Sequence, residues 1–356
     1  MEAEISINKY YITSVEESSG ICVYSRNFYD LILRDFGFKL LDTKYFNHKN
    51  TPEIRKQDIV HFEIGLNRKV EIEWLLKLLK AGYKHIRITL HDPPRLKYPY
   101  FSFRNPILNG VSKIADLVFD NFGINQSLFR KMEGILVLNT TSLKILKKKF
   151  GLRNVCFVPH IISKQDIYSK PIIKGNHNIL FFGFLGQNKG IEEALMIHKG
   201  ILQSFPDSHF FIIGGYLSDK IFQFIESLKK RFLVNVHFLG FVEKEKLPEI
   251  FEKANYVLLP FKEYKYFKPT SGSVLTSLSF NKILFTHSVN TVGEIIKEGY
   301  NGFFLNGNLN EDIKKIVQIM KNEEKLEAVK ENIKRDLLDH YSDEKIISIL
   351  NLNGYL

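Results

Sequence analysis

The stretch "NILFFGFLGQNKGIEEAL", residues 178–195, decides the fold. Its opening, 178–184, is a continuous apolar run of strand length. Gly183, Gly186 and Gly190 follow as a flexible loop, with Lys189 at the entrance of a helix. The apolar face of that helix is Ile191, Ala194, Leu195 and Leu202. A glycine loop, a lysine and a helix N-terminus together suit a phosphate, because free amides and a positive charge converge there. Strand–glycine–helix turns also arise for steric reasons alone. The GxxxxGK[ST] spacing of a Walker loop is absent.

The same plan extends in both directions. Towards the N-terminus, strand-like runs lie at 9–14, 58–65, 85–92, 115–121, 134–139 and 154–159. Between them lie amphipathic segments such as 20–36, where Ile21, Tyr24, Phe28, Leu31 and Ile32 recur at helical spacing. Further strands are expected at 209–215, 236–241, 255–261, 282–287 and 302–306. Continuous apolar strands alternating with helices imply parallel sheets covered on both faces. Two such series imply two doubly wound α/β domains. The break at 160–177 is polar, holds Pro171 and Gly175, and lacks a clear period. The expected domains are 1–163, joined by a returning helix at 341–356, and 164–340. In open α/β sheets, ligands bind beyond the carboxyl ends of the strands, and the cleft between two facing sheets is the default site.

A second anion-ready helix entrance lies at "PTSGSVLTSLSFNKILFTH", residues 269–287. Thr270, Ser271, Gly272 and Ser273 open a helix whose apolar positions are Val274, Leu275 and Leu278. Their amides and hydroxyls suit phosphate oxygens, although Ser and Thr also serve as ordinary N-caps. Two such entrances in one domain favour a diphosphate. In the first domain, the strand "HIRITL" ends in His91 and Asp92 before Pro93 and Pro94. A histidine at that exit can donate to or accept from a substrate. Alternatively, Asp92 caps a turn forced by the prolines, with His91 incidental. His61 and Glu63 lie at another strand end, and Gly20 at a loop-to-helix entry where an acceptor could approach the backbone. No Asp-x-Asp motif and no histidine pair at helical spacing emerges, so a reaction without a metal is favoured.

Charge is unevenly shared. Residues 1–165 carry 26 Lys and Arg against 16 Asp and Glu, and 166–356 carry 24 against 23. A basic first half suits an anionic lipid surface, an anionic substrate or nucleic acid, or is a solvated face without a partner. No nucleic-acid motif is present. Segments 93–106 and 142–153 mix cations with aromatic or aliphatic residues, as interfacial segments do. No apolar run is long enough to cross a bilayer, and residues 1–14 lack the features of a secretory signal. Two cysteines, Cys22 and Cys156, build no disulfide framework or zinc site, which fits a reducing cytoplasm.

Over about 178–306 these elements resemble the GT-B glycosyltransferases, and within them glycosyltransferase family 4, the group 1 transferases. "ILFFGFLGQNKGIEEAL", "FFIIGG", "NVHFLGFVEKEKLPEIFEKANYVLLPF" and "GEIIKEGYNGFFL" match that family's units in order, and "SDEKIISIL" resembles its terminal helix. The first half matches through "SSGICVYSRNFYDLI", "HFEIG" and "TLHDPP". The resemblance implies two Rossmann-like domains facing across a cleft. The second would hold a nucleotide-diphosphate sugar and the first a glycan or lipid-diphosphate-linked acceptor. It also implies retention of anomeric configuration and no cofactor or metal, with the leaving phosphate taking the acceptor proton. Lys189 becomes a diphosphate ligand, His91 the histidine that orients sugar or acceptor, and Glu294 a residue near the donor. The implied donor residues are Gly183, Phe184, Gly186, Lys189, Phe241, Thr270, Ser271, Gly272, Ser273, Val274 and Thr276. The implied acceptor residues are Gly20, Glu63, His91 and Asp92. Two departures stand out: Phe184 occupies the position of a family arginine, and the two family glutamates are absent, the second falling near Thr276. The expected role is cytoplasmic, or peripheral on the membrane's inner face, in building a bacterial surface polysaccharide. A non-catalytic GT-B partner subunit and a nucleotide-sugar epimerase are the alternatives.

Overall fold

The computed structural model describes residues 7–15, 19–45, 53–65, 68–93, 107, 110, 111, 114, 124–216, 218–263 and 270–356, without the side chains of 45, 124, 125 and 187. The chain forms two compact units. The first holds the described residues up to Ile161 together with Thr270 and Asp343–Leu356. The second holds the described residues of Ile162–Lys265 and Ser271–Ser342.

The first unit has six parallel strands: β1 (Lys9–Thr13), β2 (Phe38–Asp42), β3 (Ile59–Ile64), β4 (Ile86–Leu90), β5 (Gly134–Val137) and β6 (Val155–Phe157). Their order across the sheet is β2-β1-β3-β4-β5-β6. Successive side chains point to opposite faces, so each strand feeds two cores. Ile12, Ile135 and Val137 join one core with Leu75, Phe129 and Leu146. Tyr11 and Leu136 join the other with Tyr24, Phe28, Ile346 and Leu350. The second core is therefore roofed by helices Gly20–Phe28 and Asp343–Leu352, from distant parts of the chain. Ser19 caps the former helix, its Oγ accepting from the Cys22 amide. The segment expected as one helix at 20–36 passes into a wider π-helical turn, Tyr29–Leu33.

Strand β2 has no counterpart among the expected strands. It lies at the sheet edge, where only Phe38 is buried, so its alternation is faint. The strand expected at 115–121 lies outside the described residues.

The second unit has β7 (Ile179–Phe182), β8 (Phe210–Ile213), β9 (Val236–Gly240), β10 (Tyr256–Leu259), β11 (Ile283–His287) and β12 (Phe303–Leu305). They are parallel, in the order β12-β11-β10-β7-β8-β9. Numbered within the unit this is 6-5-4-1-2-3, the order of a dinucleotide-binding sheet. Sequence order reverses between β7 and β10, whose pairing runs Tyr256 to Ile179 and Val257 to Leu180. The crevice beyond their carboxyl ends is where such sheets bind ligands. Among the described residues no helix is long and apolar enough to cross a membrane.

Candidate active site

In the second unit, the segments leaving β7 and β10 are held together by two glycines. A Cβ on Gly190 would lie 1.9 Å from the Pro260 carbonyl oxygen, and its φ is +69°. A Cβ on Gly183 would lie 2.2 Å from Ser273 Oγ, and its φ is +127°. Only glycine permits both approaches without displacing a neighbour. The loop therefore touches the end of β10 at one point and the first turn of helix Gly272–Ser279 at another. Gly186 starts the 3₁₀ turn that carries Lys189.

Lys189 Nζ lies 4.5 Å from the centre of the Phe261 ring, just beyond β10. Burial pushes its ammonium down to about 8. Among the described residues no carboxylate pairs with it. A cation partly stripped of water, without a counter-ion, at the mouth of a glycine loop is ready for an anion. Gly272 is exposed with open space around it, and Ser273 is half-buried. Their first-turn amides are the second source of positive potential. Ser271 is the N-cap, its Oγ accepting from the Val274 amide at 3.4 Å.

Other donor-side candidates fall elsewhere. The Thr270 hydroxyl is committed: it donates to the Leu138 carbonyl at 3.0 Å and accepts from Asn139 Nδ2 at 3.1 Å. Those partners belong to the first unit, and so does Thr270. The Val274 side chain is fully buried in the core and its amide serves the cap. Thr276 is half-buried one turn into the helix. The rings of Phe184 and Phe241 flank Gly215, and Phe241 is exposed. Glu294 lies on the short helix Val292–Ile295 after β11. The described residues that could hold a metal are Glu193, His287 and Asp312.

In the first unit, β3 and β4 bring His91 to Glu63. Glu63 has no exposed surface. One oxygen meets His91 Nε2 at 2.6 Å, and the other accepts from the Tyr11 hydroxyl at 2.7 Å and lies 3.3 Å from His61 Nε2. Burial alone would raise Glu63, but the hydrogen bonds from His61 and His91 outweigh it and bring the carboxyl down to about 2. Since the carboxylate is ionised, His91 Nε2 must donate to it. His91 Nδ1 then has no hydrogen-bond partner among the described residues. Glu63, expected to contact an acceptor, has both oxygens met by side chains of its own unit.

Gly65 lets the His91–Asp92 turn pack against β3: a Cβ there would lie 3.1 Å from His91 Cβ and 3.0 Å from Asp92 Oδ2. Both residues of the turn are buried. Gly20 is exposed, with nothing near its missing side chain. Tyr355, Tyr11 and Arg87 are site-building residues that the sequence did not flag. The Tyr355 hydroxyl meets His61 Nδ1 at 2.8 Å, and Arg87 donates to the Tyr355 carbonyl while pairing with Glu133. Nothing local in the sequence marks a tyrosine so far from His61. For Tyr11 the available signal was a polar tip on a fully buried strand position.

Residues 163–336 match the family Glycosyl transferases group 1. The second unit is a group 1 glycosyltransferase domain. Two uncharacterized glycosyltransferases of Methanocaldococcus jannaschii, MJ1069 and MJ1178, are 25% and 27% identical to the chain over 188 and 190 residues. These matches cover 51% and 52% of the chain, and 46% and 49% of the relatives. The chain thus spans about half the length of the curated relatives it matches. Across nearly the whole chain the fold is similar to the sucrose-phosphate synthase of Thermosynechococcus elongatus, with TM-score 0.70, 13% identity and 98% of each chain covered. It is also similar to HepE of Anabaena in complex with UDP, with TM-score 0.69, 12% identity, and 98% of this chain and 100% of that one covered. The fold is GT-B, with the group 1 domain as the second of two Rossmann-like domains.

Proposed function

We propose that the protein moves a sugar from a nucleoside diphosphate sugar to a hydroxyl of a glycan or of a lipid-diphosphate-linked glycan. Lys189 carries this reading: a partly buried ammonium, without a carboxylate partner among the described residues, at the point where strand order reverses. When the glycosidic bond breaks, negative charge grows on the leaving β-phosphate. Lys189 and the amides of Gly272 and Ser273 would stabilise that charge in place, as preorganised donors do, without calling on a metal. Support for the donor class comes from HepE, whose structures hold UDP and UDP-glucose.

In the first unit, His91 would present its bare Nδ1 to a hydroxyl of sugar or acceptor. Glu63 fixes its tautomer, so the ring orients and polarises while the leaving phosphate takes the proton. Retention of configuration follows from the family resemblance. An acceptor on a lipid diphosphate suits the basic first half, where Lys147, Lys148 and Lys149 stand exposed on the last turn of helix Thr140–Phe150. Residues 94–106, the other cationic segment, lie outside the described residues. Surface-polysaccharide assembly in a bacterium, at the inner face of the membrane, is the setting such an acceptor fits.

The test is thermal stability against UDP-, GDP-, ADP- and dTDP-sugars, without added metal. A ligand that binds only the native state raises the melting temperature. A rise with one nucleotide family names the donor. No rise with any of them, with or without an acceptor, overturns the reading.

A further inference from the structure

We infer that Glu193, His287 and Asp312 form a binding site for a divalent cation of the zinc class. The three come from separate elements of the second unit: helix Ile191–Ile201, the end of β11, and helix Leu309–Met320. Their ligand-type atoms all lie within 4.8 Å of one another. A tetrahedral zinc ion with bonds of about 2.0–2.2 Å holds its ligand atoms roughly 3.4 Å apart, so the three side chains would draw together slightly on binding it.

The histidine is already set as a ligand. His287 Nδ1 lies 3.1 Å from the Phe261 carbonyl oxygen, which can only accept, so the proton sits on Nδ1. An outer hydrogen bond of this kind is what orients a metal-binding histidine. Nε2 then presents its lone pair inward. It is buried and makes no hydrogen bond among the described residues, although Glu193 Oε1 is only 3.2 Å away. With one ring proton, a nitrogen lone pair faces a carboxylate across this distance, and either a second ring proton or a metal cation fills the gap. Asp312 is buried and oriented in turn: its Oδ1 accepts from the Asn306 amide at 2.8 Å and its Oδ2 from the Gly307 amide at 3.0 Å. Each oxygen keeps a lone pair for a metal. One neutral imidazole and two carboxylates sum to two negative charges. One nitrogen and two oxygen donors favour zinc or manganese over magnesium or calcium, which take all-oxygen shells.

Bound there, the ion would brace three elements around the strand end that carries Phe261, the ring beneath Lys189. This role is separate from sugar transfer, and it is tested without activity. The His209–His237 pair, with nitrogens 3.0 Å apart, is a competing place for zinc, so the measurement uses a His209→Asn background. After stripping with chelator, calorimetric titration should show one equivalent of Zn²⁺, and the melting temperature should rise with Zn²⁺ but not with Mg²⁺. Glu193→Gln should weaken binding at least tenfold. Equal binding by Glu193→Gln, or no saturable binding, overturns the site. Should that variant misfold, visible absorption of Co²⁺ in the His209→Asn chain reads the same site. Bands of a four- or five-coordinate ion support it, and a spectrum matching aqueous Co²⁺ overturns it.

Discussion

Lys189 and Glu63 are two charges of the proposed chemistry, and they are held in opposite ways. Among the described residues Lys189 has no carboxylate partner, whereas both oxygens of Glu63 are met by side chains. Lys189→Ala should weaken nucleoside diphosphate binding by roughly 10- to 100-fold, the worth of one charge-assisted contact, with the circular dichroism spectrum unchanged. Because the free ammonium titrates near 8, wild-type affinity should stay level below that pH and fall above it. An isothermal titration series from pH 6.5 to 9.5 checks the sign, and Lys189→Arg should abolish the fall. For Glu63 the folded value, about 2, lies below the free value of 4.5. Its contribution to stability is therefore complete above pH 4.5 and is lost as pH falls towards 2. Glu63→Gln should cost about 3 kcal/mol in urea unfolding at pH 7, since it removes one side of a buried ionic cluster. It should also flatten the acid limb of the stability curve. The sequence placed Lys189 at a helix entrance and Glu63 at a strand end, but could not give Glu63 its partners. Spacing reveals that a carboxylate is near a strand end, not that three side chains occupy its oxygens.

Among the elements, the loop 183–190 and the helix Gly272–Ser279 matter most, and glycine decides how they meet. Gly190→Ala would drive a methyl into the backbone of Pro260 while demanding a positive φ, so neither the neighbour nor the residue can yield. It should cost about 2–4 kcal/mol or prevent soluble expression. Gly272→Ala meets nothing within 4 Å and should leave the melting temperature nearly unchanged. Comparing the two by thermal denaturation separates a packing glycine from an open one. This unit was the more legible because its strands are apolar throughout and its turns are marked by glycine. The edge strand Phe38–Asp42 was not legible, since half-exposed residues leave little alternation to read. The sequence position of Thr270 beside Ser271 likewise said nothing of the Leu138 carbonyl that its hydroxyl meets.

At the scale of the whole molecule, two parallel sheets follow from apolar strands alternating with helices, but their strand order does not. The long-range closure of the first unit was expected only as a returning helix at 341–356, without the side chains that make it. Ile346 and Leu350 fill the same core as Tyr11 and Phe28. Leu350→Ala should therefore destabilise the first unit by about 2–5 kcal/mol. Hydrogen exchange would show this as faster exchange in β1 and β5, with β7 and β10 unaffected. The Tyr355 contact to His61 has a consequence in time as well as in space. On the ribosome, the first unit emerges early but cannot complete its polar interior until residues 343–356 are made. The entire second unit is synthesised in the interval, on the order of tens of seconds. The N-terminal half must wait through that interval with an unfinished roof, exposed to chaperones and proteases, while the half made later can finish folding first.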